Sequence, residues 1–98
     1  MMISKALEGS KLTIILEGRL DTTTSPALEA ELKDALTGIT ELVFVFEKLE
    51  YISSAGLRIL LANQKIMNKQ GSMVIKNVNE VIAEVFEVTG FADILTVI

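Results

Sequence analysis

The chain has 98 residues, half of them apolar, with 9 basic and 13 acidic side chains and a formal net charge of -4. That is one core's worth of chain with enough apolar surface to fold unaided, which argues against disorder and leaves no room for a second domain. The acidic balance argues against a nucleic-acid backbone or an anionic membrane as main partner, and the absence of cysteine and histidine removes disulfides, thiolate chemistry, a serine–histidine–acid triad and the commonest metal ligand.

The opening Met1-Met2-Ile3-Ser4-Lys5 lacks the long apolar segment of a signal peptide. No apolar run approaches the ~18 residues of a membrane span. A soluble, cytoplasmic protein is expected, with no metal and no cofactor. Met2 to Leu7 alternates weakly and predicts an edge strand. Glu8-Gly9-Ser10-Lys11 is turn chemistry, and Leu12 to Leu16 is a β-branched and apolar strand, so the two read as a hairpin. Gly18-Arg19-Leu20-Asp21 closes it, and Thr22 to Thr24 follow. Ser25-Pro26 predicts a helix start, with serine as cap and proline at the first helical position. Ala27, Leu28, Leu32, Ala35 and Leu36 form the apolar face of that helix, Glu29, Glu31, Lys33 and Asp34 the polar one, and Gly38 the stop.

Glu41 to Phe46 is a nearly continuous apolar run, as expected of a central strand covered on both faces. Glu47-Lys48-Leu49-Glu50 reads as its charged exit. A helix from about Ser54 to Gln70 comes next, capped by Gly71, and Met73-Val74-Ile75 is a short strand. Asn79 caps a third helix with Val81, Ile82, Val85 and Phe86 on its apolar face, ended by Gly90. Phe91 to Ile98 reads as a last strand. Strands alternating with helices predict an α/β layer fold in which helices pack against a mixed sheet.

Chemistry has few candidates here. Glu47 and Glu50 sit in a charged stretch where solvation is the default, and no glycine builds a phosphate-binding G-x-x-x-x-G-K-S/T loop. Ser53-Ser54-Ala55-Gly56-Leu57 is the exception, because it places two hydroxyls at the mouth of a helix. Unpaired N–H groups there favour negative charge. A capping serine is one reading and a modified serine the other. The residue types favour a binding module over an enzyme.

In the order of its elements and in two local motifs, the chain resembles the STAS domain, most closely the bacterial anti-sigma factor antagonists of partner-switching systems. The resemblance spans nearly the whole chain. It rests on Tyr51-Ile52-Ser53-Ser54-Ala55-Gly56-Leu57, on Gly18-Arg19-Leu20-Asp21, and more weakly on Gly90-Phe91-Ala92. It implies that Ser54 is phosphorylated by an anti-sigma factor serine kinase using ATP, with Asp21 nearby shaping the loop, and that a serine phosphatase resets the cycle. Unphosphorylated, such a protein binds the anti-sigma factor and frees the sigma factor. Asp21, Ser53, Ser54, Gly56, Leu57 and Arg58 are the partner-binding residues so implied.

Ser53 stands where many antagonists have aspartate, and is expected to take over the cap. Arg58 stands where many have glycine, and could contact an acidic partner, contact the phosphate, or be solvated. The family's usual C-terminal helix has no counterpart here, so a partner could cover the exposed sheet. A second reading is a structural subunit bound to the ATPase of a lipid transporter, in which Ser53 and Ser54 are caps and contacts only.

Overall fold

A computed structural model describes residues Met1 to Ile98. Gly9, at φ 61°, provides the left-handed step that folds β1 (Met2–Glu8) back on β2 (Lys11–Leu20) as an antiparallel hairpin. Helix α1 (Ser25–Leu32) then carries the chain over to β3 (Glu41–Ile52), and α2 (Ser54–Gln70) leads from β3 to β4 (Ser72–Lys76). The sheet order is β1-β2-β3-β4, with β2, β3 and β4 parallel. Helix α3 (Glu80–Thr89) and a 3-10 turn (Phe91–Asp93) follow. The mixed α/β sheet with packed helices is the expected one.

One continuous core of 22 buried residues joins Leu12, Ile14 and Leu16 of β2, Leu42, Phe44 and Phe46 of β3, and Met73 and Ile75 of β4 to the helices. The helices contribute Leu28 and Leu32, Leu57, Leu60 and Met67, and Ile82 and Phe86. Leu60 and Met67 are wholly buried, and each side chain stabilises the seat of α2 by about 1.5–3 kcal/mol. On the opposite face of the sheet Val43 is buried but lies outside that core, while Thr13, Ile15, Val45 and Val74 are at least partly open. Coverage of β3 on both faces is therefore incomplete.

Four other expectations give way to the structure. Glu47 to Glu50 are not an exit loop, because β3 continues to Ile52. Irregularities in the β2/β3 register let β3 take extra residues there, so that Leu49 and Ile52 turn inward while Glu47 and Lys48 stay in water. Helix α1 stops at Leu32, and turns carry the chain through Leu36 and Gly38. Gln70 Nε2 holds that connection by donating to the carbonyls of Leu36 and Ile39, both at 2.7 Å. In α3 Ile82 and Phe86 are the buried residues, and Val81 is 54% exposed. Finally, Phe91 to Ile98 forms no strand. Gly90 (φ 80°) turns the chain into the 3-10 segment, and only a bridge between Val97 and Ile75 reaches the sheet.

Candidate functional site

β2 and β3 end side by side, their last registered pair being Leu20 and Ile52. The Ser53 N–H donates to the Leu20 carbonyl at 2.9 Å and ties the two exits together. Asp21 and Ser53-Ser54 thus leave the sheet at the carboxyl ends of neighbouring parallel strands, where α/β folds characteristically build sites.

Asp21 organises its own exit. Its Oδ1 accepts from the Thr23 hydroxyl at 2.7 Å, the Thr23 N–H at 3.0 Å and the Thr24 N–H at 3.2 Å. Its main-chain carbonyl accepts from the Ser25 N–H at 2.8 Å. The Thr23 hydroxyl, aided by the N–H groups of Thr24 and Thr23 and by the Thr24 hydroxyl, holds the Asp21 carboxyl below the ordinary aspartate range, against a smaller opposing effect of desolvation. Thr24, not Ser25, occupies the N-cap position of α1, without a side-chain cap bond. The Thr24 hydroxyl is engaged elsewhere, accepting from the Asp21 N–H at 2.9 Å and donating to the Arg19 carbonyl at 2.8 Å. Arg19 lies beside this turn, its guanidinium 4.5 Å over the Tyr51 ring and its Nε 3.7 Å from Asp21 Oδ2.

At the other exit Ser53 is the N-cap of α2, in extended backbone (φ -101°, ψ 177°), and its carbonyl accepts from the Leu57 N–H at 3.0 Å. The expected side-chain cap is absent: the Ser53 hydroxyl is buried without a hydrogen-bond partner. Ser54 opens the helix and is exposed. No acidic side chain occupies the first turn, so the positive end of the helix faces solvent uncompensated there. Gly56 sits against the strand ends. A Cβ on it would meet Ile52 Cγ1 and Leu20 Cγ, each at 2.8 Å. Glycine is what allows α2 to start directly on the sheet.

Between α1 and α2 runs a groove of about 370 Å³. Arg58, Ala55 and Ile66 line it from α2, Glu29 from α1, Lys33 from just beyond the end of α1, and Thr22 from the Asp21 turn. Arg58 is exposed and belongs to none of the molecule's ion pairs, which join Lys5 to Glu31, Arg19 to Asp21 and Lys48 to Glu17.

The fold therefore brings the Asp21 turn to the start of α2, and leaves Ser54 and Arg58 facing outward. Gly56 and Leu57 are buried, Leu57 at 5% exposure, so they act on this surface by seating the helix beneath it. The sequence reading missed the Arg19–Tyr51 stack and the α1 wall of the groove. Arg19 lies inside the motif containing Asp21, but pairing it with Tyr51 requires the shifted β2/β3 register. Glu29 lies on the polar side of α1 as expected, whereas Lys33 falls just past the helix end, and nothing local says which element either one faces.

The STAS domain profile matches residues 3–98. A protein of Bordetella bronchiseptica named as an anti-sigma factor antagonist, BtrV, is 36% identical over 88 residues, which cover 88% of this chain and 76% of that one. The anti-sigma-B factor antagonist of Bacillus subtilis is 25% identical over 87 residues, covering 88% and 80% of the two chains. The crystal structure of an anti-sigma factor antagonist from Mycobacterium paratuberculosis superposes with a TM-score of 0.88 at 20% identity, covering 98% of this chain and 83% of the other. No helix is long and apolar enough to cross a membrane. The chain belongs to the STAS domain family.

Proposed function

We propose that the chain is an anti-sigma factor antagonist that works in the cytoplasm as a single STAS domain, 1–98, and has no catalytic activity of its own. Unphosphorylated, it binds an anti-sigma factor kinase through the surface around Asp21, Ser53, Ser54 and Arg58, so that the sigma factor is released. The kinase then transfers the γ-phosphoryl group of ATP to Ser54. The Ser54 Oγ–P bond forms as the bond from phosphorus to ADP breaks, and the hydroxyl proton passes to a base on the kinase. A serine phosphatase hydrolyses the ester and restores the binding form.

The observation that carries this reading is the setting of Ser54: an exposed hydroxyl at the start of a helix whose own packing lies beneath it. A phosphate there adds about 1.5 to 2 negative charges at a place that favours them within the domain, so the fold is kept while the docking surface changes sign. A loss of ~3 kcal/mol in binding would weaken the complex more than a hundredfold. The named function of the Bordetella relative supports the same assignment.

Incubation with the cognate kinase and ATP, followed by intact-mass measurement and peptide mapping, tests it. One phosphoryl group on Ser54 is expected. Ser54→Ala should bind the kinase and stay unmodified, Ser54→Asp should bind weakly, and Ser53→Ala should still be phosphorylated. Absence of modification anywhere from Tyr51 to Leu57 would remove the proposal.

A further inference from the structure

Arg58 is four residues beyond Ser54 in a continuous α-helix, which places the two on one face about one turn apart. The Arg58 Cα–Cβ bond tilts toward the helix N-terminus, so a guanidinium that lines the groove beside α1 has the reach to swing back over the first turn to Ser54. Both residues are exposed. Arg58 has no carboxylate within ion-pair distance, although Glu29 lines the same groove. A planar, permanently charged fork without a partner, one turn from the predicted ester, is a ready acceptor for a dianionic phosphate.

We infer that Arg58 is the internal partner of phosphoserine 54: once the ester forms, its guanidinium turns from the groove and pairs with the phosphate oxygens. This rests on the phosphoryl switch proposed above and deepens it. The modification then changes the docking surface twice. It adds negative charge at Ser54, and it withdraws the positive charge that the unmodified surface offers to an acidic partner. Arg58 acts here as a positioning residue, holding the phosphate against the helix end.

Phosphate pairing with a guanidinium favours the dianion, so the second ionisation of the ester moves to lower pH. The other charged groups facing this end of the molecule include Glu29 of α1 and Lys33 just beyond it across the groove, Arg19 and Asp21 at the end of β2, and Glu50 near the end of β3. All of them stay in place when Arg58 alone is changed.

The test uses the full chain with phosphoserine installed at position 54 by an expanded genetic code, which makes the result independent of any kinase. The second ionisation is followed by phosphorus NMR across neutral pH. Arg58→Gln should raise it by about half a pH unit, and Arg58→Lys, which keeps charge but loses the fork, should raise it less. Identical titrations for the parent chain and Arg58→Gln would overturn the pairing. If the shift appears in a chain whose Ser54 no kinase modifies, the pairing stands and the switch falls.

Discussion

Gly56→Ala tests the seating of the switch helix. The added Cβ would lie 2.8 Å from Ile52 Cγ1 and Leu20 Cγ and 2.9 Å from Leu20 Cδ2. Carbon atoms pack comfortably at about 3.5–4.0 Å, so each contact is short by roughly 0.6 Å or more. Neither neighbour has room to retreat, Leu20 being 0% exposed and Ile52 1%. Overpacking of this kind costs about 1–3 kcal/mol. Replacing a helical glycine by alanine returns about 0.5–1 kcal/mol through backbone entropy and propensity. The balance is a net loss of about 1 to 2 kcal/mol, or roughly 5 to 15 °C in Tm for a domain of this size. Urea unfolding should show a lower midpoint at an unchanged slope, since the exposed area on unfolding is the same. The strain is relieved most easily by lifting the first turn of α2, so phosphorylation of Ser54 should slow as well. A variant as stable as the parent, or more stable, would show that the helix has clearance over the strand ends and that this reasoning is wrong.

Asn79 makes two bonds, its Oδ1 accepting from the Ile82 N–H at 2.8 Å and its Nδ2 donating to the Leu49 carbonyl at 3.0 Å. Asn79→Ala should therefore cost about 1–2 kcal/mol in a thermal melt, and a loss below a few tenths would deny the cap its role. The Asp21 carboxyl, followed by NMR, should titrate below the ordinary aspartate range, and Thr23→Ala should move it upward. Because the folded value is depressed, the stability linked to Asp21 is present above the ordinary aspartate range and is lost as pH falls through the folded value. Asp21→Asn should accordingly flatten the acid limb of the stability curve, and an unchanged limb would place its origin elsewhere.

Where a residue's role depends on its immediate neighbours, the sequence was enough. Asn79 and Gly90 bound α3 through a cap bond and a left-handed step, and α2 begins and ends where Ser54, Gln70 and Gly71 indicate. Other roles depend on competition between groups, and these were hidden. Ser25 before Pro26 looks like a cap, yet its N–H bonds the Asp21 carbonyl, which draws Ser25 into the first turn and leaves its hydroxyl buried and unpartnered. Ser53 stands at the N-cap, but its hydroxyl is enclosed and bonds nothing. Glu47 and Lys48 look like a loop because charge rarely enters a central strand, and only the irregular register with β2 lets them point outward while pairing continues. Phe91 to Ile98 has strand-like composition, but among these residues only Leu95 is buried in the core, with Phe91 packed against its edge. The resemblance carried by Tyr51 to Leu57 located the candidate site, and the groove wall on α1 became visible only in three dimensions.

The first turns of α2 divide their work by direction. Gly56, Leu57, Ile59 and Leu60 point into the protein, whereas Ser54, Arg58, Ala62 and Ile66 form an outward stripe. Exposed substitutions usually alter stability by less than about 0.5 kcal/mol, and buried ones by far more. The stripe can therefore vary almost independently of the framework. Related copies of this domain within one cell could diverge along positions 58, 62 and 66 until each answered to its own partner, while folding equally well. Under the proposed function, exchanging those three positions between two such copies should exchange their partner preference while leaving their stability unchanged.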